Sequence, residues 1–206
     1  MIEKRNQDVE HYFKATPKSE TKFGLIHTRL RGKSFKFLTA SSIFSKKQVD
    51  LGTRLLIEAM QLPEKGIVLD VGCGYGPVGI VAASSNPKLH IIMTDVNIRA
   101  VHLSKRNLKM NKLQNAEVRC GYLYAPIKDL RFDCVLSNPP VSAGMETVKA
   151  IITHAPEIMT GESTFQMVIR SKIGSKKIPA LIRDTFGDCG ISARKSGYRV
   201  LIAKKH

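Results

Sequence analysis

Between Gly66 and Arg170 the chain repeats one alternation, a short apolar run followed by a longer stretch with helical spacing of apolar and polar residues. That order restricts the fold to strands joined by crossover helices around a parallel sheet buried on both faces. Strands are expected at IVLDV (67–71), HIIMTD (90–95), AEVRC (116–120), FDCVLS (132–137) and FQMVIR (165–170), and helices over 77–85, 97–110, 144–159 and 175–186. After Gly187, Lys195-Ser196-Gly197 is a turn-forming cluster between two more strands, which predicts an antiparallel hairpin at the end of the chain. The expected class is α/β: a seven-stranded, mostly parallel sheet with an antiparallel C-terminal hairpin and helices on both faces.

Ahead of Gly66, LIHTRLRGKSFKFLT predicts a β-hairpin turning at Arg31-Gly32-Lys33, its strands alternating apolar and basic residues. A helix should run from Asp50, a candidate cap, to Gln61, with Pro63 stopping it. No linker separates domains. At 206 residues and 43% hydrophobic composition the chain suits one buried core, so residues 1–206 are expected to form a single domain, with 1–50 as an N-terminal hairpin or lid and 51–206 as the catalytic core.

Thirty-three Lys and Arg against 17 Asp and Glu leave a net charge of +16, which a neutral small molecule would not require and a polyanion would. Cys73, Cys120, Cys134 and Cys189 form no C-x-x-C pair, so neither a zinc site nor a disulfide framework is suggested and a reducing cytoplasm fits. The start lacks the apolar stretch of a signal peptide, and no segment approaches the length needed to span a bilayer. The expectation is therefore a cytoplasmic protein, monomeric or weakly dimeric, with no membrane and no metal among its partners.

Asp70-Val-Gly-Cys-Gly-Tyr-Gly-Pro-Val-Gly79 follows a strand and opens a helix, where glycine lets the chain turn tightly and a ligand approach the backbone. Gly74, Gly76 and Gly79 also satisfy G-x-G-x-x-G, which admits a dinucleotide-binding oxidoreductase. Asp70 argues against it: a carboxylate at the strand end repels a pyrophosphate but suits the ammonium of a methionine moiety, and so a sulfonium cofactor. Asp95 ends the next strand, where a carboxylate can accept from the two hydroxyls of a ribose.

The fourth strand ends in Asn138-Pro139-Pro140, a turn that hydride transfer has no use for and that the prolines stiffen by fixing φ. An exocyclic amine on a base is a poor nucleophile because its lone pair is delocalised into the ring. If the Asn138 side-chain oxygen and the Pro139 carbonyl each accept one N–H, the lone pair is turned toward the methyl donor, which is catalysis by orientation and preorganised dipoles.

On these residues the chain resembles a known family. TASSIFSKKQVDLGTRLL (39–56), VLDVGCGYGPVGI (68–80), DVNIRAVHLSKRN (95–107), SNPPVSAG (137–144) and KSGYRV (195–200) are similar to the ribosomal small subunit methyltransferase C-like guanine-N2 methyltransferases, of the methyltransferase small domain family, most of all to their short single-domain form. The likeness runs from about His11 to Val200. It implies a class I, Rossmann-like methyltransferase fold, S-adenosylmethionine as donor, and guanine N2 of ribosomal RNA, free or in a ribosomal subunit, as target. It also implies that Phe44, Ser45, Thr53, Asp70, Gly72, Cys73, Gly74, Gly76, Asp95, Val96, Asn97, Tyr122 and Asn138 line the cofactor, and that Asn138, Pro139 and Pro140 carry catalysis.

The chain departs from the family pattern in three places. Ser42-Ile43 replaces a smaller Gly-Val pair, Tyr122 stands where an acidic residue often takes the adenine amino group, and Val141 stands where many amino-methylating enzymes carry an aromatic. Base stacking is then expected from Phe35, Phe37 or Tyr12, beside Lys36 and Val141. Arg170, Lys172, Lys176 and Lys177 follow a strand end on the glycine-loop side of the sheet and are expected to meet phosphates flanking the target base. The alternatives are an adenine-N6 or protein-glutamine methyltransferase using the same turn, or a non-catalytic RNA-binding or assembly protein that keeps the cofactor pocket.

Overall fold

The computed structural model describes residues 23–40, 48–139, 144–172 and 176–206. Among them, β1 (Phe23–Leu30) and β2 (Lys33–Ala40) pair as an antiparallel hairpin turning at Arg31-Gly32. Then come α1 (Leu51–Ala59), β3 (Gly66–Val71), α2 (Pro77–Ser85), β4 (Leu89–Asp95), α3 (Ile98–Met110), β5 (Ala116–Cys120), β6 (Phe132–Ser137), α4 (Gly144–Thr153), β7 (Met159–Arg170), α5 (Lys177–Phe186), β8 (Gly190–Lys195) and β9 (Tyr198–Lys204). The seven strands β3 to β9 form one sheet in the order β5-β4-β3-β6-β7-β9-β8. β3 to β7 run parallel, and β9 and β8 close the edge antiparallel.

The strand order reverses between β3 and β6. From β3 the chain winds outward through β4 and β5, then returns to lay β6 on the other side of β3. In open α/β sheets the connections leave a crevice at such a switch point, outside the carboxyl ends of the strands. Val71 and Ser137 pair across the two strands there, and the Ser137 hydroxyl donates to the Val71 carbonyl at 3.1 Å. The segments after Val71 and Ser137 therefore leave the sheet side by side.

Alternation along the strands fills two cores. Val68, Ile91, Met93, Cys134, Leu136 and Val200 face α1, α2, α3 and the hairpin; Leu69, Val71, Ile92, Val135, Phe165 and Leu201 face α4 and α5. Helix α2 is not amphipathic, and residues 77–83 are buried without a break. The reason is a further layer. The hairpin lies over the helices rather than on the sheet, with Lys33 Nζ donating to the Ser84 carbonyl and the β2 backbone pairing with side chains of α3.

Two boundaries differ from the sequence expectation by more than two residues. β7 begins at Met159 instead of Phe165, because its first half, TGEST (160–164), is polar and shows no alternation; Glu162 takes φ +61° and the pairing with β6 shifts register there. The helix expected over 144–159 stops at Thr153, and Ala155–Ile158, which contains Pro156, is a separate 3-10 turn. Among the described residues no helix is long and apolar enough to cross a membrane.

Candidate active site

The loop after β3 is built on its neighbour strand. The Gly72 and Cys73 N–H groups donate to the Thr94 carbonyl at 2.8 and 2.9 Å, and the Gly74 N–H donates to Asp95 Oδ2 at 2.9 Å. Gly72 and Gly74 take left-handed φ of +71° and +59°, and a Cβ at either would stand in open space. These two glycines leave bare backbone facing the crevice. Gly79 does something else: a Cβ there would lie 2.4 Å from Met93 Sδ, so its hydrogen is what lets α2 lie on β4.

Asp70 is 1% exposed, and its Oδ2 accepts the Gly79 N–H at 2.9 Å. Burial pushes its carboxyl up to about 7; the Gly79 hydrogen bond opposes that rise and the charge of Asp95 adds to it. Asp95 is also raised by burial, against hydrogen bonds from Asn97, Gly74 and Val96. Its Oδ1 accepts the Asn97 N–H at 2.8 Å. A carboxylate has about four acceptor positions, so three backbone N–H groups leave Asp95 able to accept from a hydroxyl of a ribose.

The Cys73 side chain is buried, with a thiol raised well above its ordinary range by desolvation, so Cys73 offers the crevice its backbone. The Asn97 side chain caps α3 by accepting the Arg99 N–H at 3.0 Å, and Gly76 caps α2 at φ +92°. Val96 and Tyr122 are exposed, at 38% and 46%, and the Gly121 N–H donates to the Asp95 carbonyl at 3.0 Å, which sets the Tyr122 loop beside Val96. Together these residues present bare glycine backbone, a two-oxygen acceptor and an apolar corner in sequence across the β3 and β4 ends. That set fits the methionine, ribose and adenine parts of S-adenosylmethionine.

The loop after β6 brings Asn138 to the same crevice. Its Nδ2 donates to Thr53 Oγ1 at 2.7 Å, on the first turn of α1. Asp50 caps that helix, accepting the Thr53 N–H at 3.0 Å and the Thr53 hydroxyl. Gly52 leaves room for the Tyr198 ring, which a Cβ would approach to 2.9 Å, and Tyr198 Oη accepts from Arg170 Nε at 2.9 Å. Arg170, which ends β7, and Lys172, Lys176 and Lys177 after it are exposed. Among the described residues no group of His, Cys, Asp and Glu is arranged to hold a metal.

The structure corrects part of the substrate side. Phe37 is 0% exposed and Phe35 4%; their rings stack on one another with centroids 5.9 Å apart, and Phe37 packs edge-on against Tyr75. They belong to the core under the hairpin and cannot stack on a base. Lys36 is exposed, but its backbone is tied to Asn111 at the far end of α3, roughly 20 Å along the helix from Asn97 at 1.5 Å per residue. Phe44, Ser45, Pro140, Val141 and Tyr12 lie outside the described residues.

Sequence reading missed the Asn138–Thr53–Asp50 contact and two buried amides. Gln166 holds the chain after α1, accepting the Gln61 N–H at 2.9 Å and donating to its carbonyl at 2.6 Å. Asn107 accepts the Leu38 N–H at 2.7 Å and donates to the Leu38 and Tyr75 carbonyls at 2.9 and 2.8 Å, joining the hairpin to the glycine loop. An uncharged Asn within a Lys- and Arg-rich helix was the available signal.

This fold, with a glycine loop and acidic strand end at one side of the switch point and an Asn-Pro turn at the other, defines a class I methyltransferase. Residues 34–202 match the methyltransferase small domain family. The chain belongs to that family, whose methyl donor is S-adenosylmethionine. An uncharacterized protein of Bacillus subtilis, YbxB, is 37% identical over 198 residues, spanning 95% of this chain and 98% of its own length. The ribosomal RNA small subunit methyltransferase C of Photorhabdus laumondii is 32% identical over 81% of this chain and 49% of its own. A Thermus thermophilus 16S rRNA N2 G1207 methyltransferase, solved in complex with AdoMet and guanosine, superposes with a TM-score of 0.81 at 23% identity, covering 93% of this chain and 53% of its own. The chain thus spans about half the length of the relatives that carry a ribosomal RNA name.

Proposed function

We propose that this chain methylates an exocyclic amine of RNA, with guanine N2 of ribosomal RNA as the target. The observation that carries the reading is the common crevice: the glycine cradle and the Asn138 amide leave paired strand ends at the switch point, so a donor and an amine held by them meet. The bound cofactor supplies an electrophilic sulfonium methyl. Asn138 Oδ1 and the Pro139 carbonyl accept the two N–H groups of the amine and turn its lone pair toward that methyl. The amine loses one proton to solvent as it gains the methyl, and no general base on the protein is required.

On the donor side, Gly72 and Gly74 give backbone approach, Asp95 takes the ribose hydroxyls, Asp70 lends negative charge to the methionine end, and Val96 and Tyr122 flank the adenine. The excess of positive charge favours a nucleic acid over a protein acceptor. Lys176 and Lys177 sit at the start of α5, where the helix dipole disfavours cations, so phosphate contact rather than helix stability accounts for them.

The test is transfer of labelled methyl from S-adenosylmethionine to undermethylated small ribosomal subunits or their RNA, followed by nucleoside digestion. Label is expected in N2-methylguanosine. Label in N6-methyladenosine or in protein moves the target, and a protein that binds cofactor and RNA yet never transfers label is an assembly factor.

A further inference from the structure

We infer that Asp50 and Thr53 form a positioning relay that fixes which end of the Asn138 amide faces the substrate; this rests on the reading of Asn138 given above. An amide side chain has two ends of similar shape and opposite hydrogen-bonding character, and only its oxygen can accept an N–H from a target amine. Reversed, Asn138 would point two donors at a group that is itself a donor, and the amine would be repelled. The reaction needs the oxygen outward. Something must enforce it.

The enforcing group is the Asp50 carboxylate. Ionised, it has acceptors only, so the Thr53 hydroxyl, which lies in hydrogen-bond contact with it, must donate its single proton there. A charged acceptor draws that proton more strongly than a neutral amide oxygen does. With its proton committed, Thr53 Oγ1 can only accept on its other side, where Asn138 stands at 2.7 Å. The amide nitrogen therefore faces Thr53, and the oxygen is left for the substrate.

Local structure holds the chain of contacts in place. Asp50 is the cap of α1, and its other oxygen accepts the Thr53 backbone N–H at 3.0 Å, so the carboxylate is anchored at two points on the turn it serves. The Tyr198 ring against Gly52 and the Gln166 clamp on Gln61 fix both ends of α1 against the sheet that carries Asn138. The contact between Thr53 and Asn138 thus joins residues 85 positions apart in the sequence.

Three variants of the full chain test the relay, with S-adenosylmethionine and undermethylated small subunits. Thr53→Val keeps shape and removes the hydroxyl; kcat is expected to fall roughly tenfold to a hundredfold, as when a reacting group loses its orientation. Subunit KM should stay within about twofold, and because Thr53 also stands among the residues expected to line the cofactor, any rise in cofactor Kd should be smaller than the fall in kcat, the split that marks an interaction made in the transition state. Thr53→Ser, which keeps the hydroxyl, should recover most of the rate.

Asp50→Asn preserves the cap, since asparagine caps as well as aspartate. It can instead donate to Thr53 and release that hydroxyl toward Asn138, so kcat should fall with little change in Tm. A Thr53→Val protein at full kcat, or one whose loss lies wholly in cofactor Kd, overturns the relay. Asn138→Ala, run alongside, separates the two levels. If it is inactive while Thr53→Val and Asp50→Asn run at full rate, the relay alone fails; if Asn138→Ala keeps its rate, the reading of the turn fails with it.

Discussion

The two sides of the crevice are built from different materials. On the β3–β4 side, bare glycine backbone is combined with a buried and a half-buried carboxylate, both raised by desolvation. On the β6 side, an amide, a hydroxyl and a capping carboxylate are linked by hydrogen bonds, and the group offered to substrate is a neutral dipole. One side is suited to hold a cation and a nucleoside by charge; the other offers the amine a neutral dipole. Affinity for the donor should therefore follow pH.

Removing the neutral side should have the largest effect. Asn138→Ala is expected to lower kcat by roughly two to three orders of magnitude, the range for loss of a preorganised hydrogen-bonding group, while calorimetric titration shows cofactor still bound. Loss of cofactor binding in that variant would break the division between the sides.

Asp95→Asn comes next. Hydrogen bonds to a charged acceptor contribute about 1.5–3 kcal/mol each, so weakening this pair should raise cofactor Kd at least about tenfold. Subunit KM should be unmoved, and an unchanged Kd would show that the ribose is held elsewhere.

The smallest effect, and the one that sharpens the comparison most, concerns Asp70. Its carboxyl is raised from 3.8 to about 7 by burial, so between those values the folded chain keeps a proton that the unfolded chain has lost. Stability from this group is full below about pH 4, declines as pH rises to about 7, and is level above. Cofactor affinity should slope the opposite way, rising through pH 6 to 8 as the carboxylate forms beside a cationic ammonium. Asp70→Asn should flatten both slopes, read as Tm and Kd against pH. Parallel slopes in wild type and variant would assign the dependence to another group.

Most of the sheet was legible because its strands are buried on both faces and so read as unbroken apolar runs; 132–137 was placed to the residue. The glycine loop and Asp95 were legible for a related reason, since strand-end residues in this fold are fixed by the strands themselves. Phe35 and Phe37 were not. Period-two spacing puts both rings on one face of β2, but it carries no information on whether that face meets solvent or protein, and here it meets α3 and Tyr75 of the glycine loop. Asp50 was recognisable as a cap and nothing more, because the contact that gives it a second role reaches from Thr53 to a residue 85 positions away.

The attachment of the hairpin to α3 has a mechanical side. Asn107 and Asn111 are one helical turn apart, and they grip Leu38 and Lys36, two residues apart on β2. Four helical residues advance about 6 Å and two strand residues about 6.6 Å, so the strand and the helix mesh like a rack and pinion with matched teeth. A strand engaged in this way cannot creep by a single residue; it stays in its notch or disengages. Because Asn107 also donates to the Tyr75 carbonyl, disengagement would leave the glycine loop short of a partner.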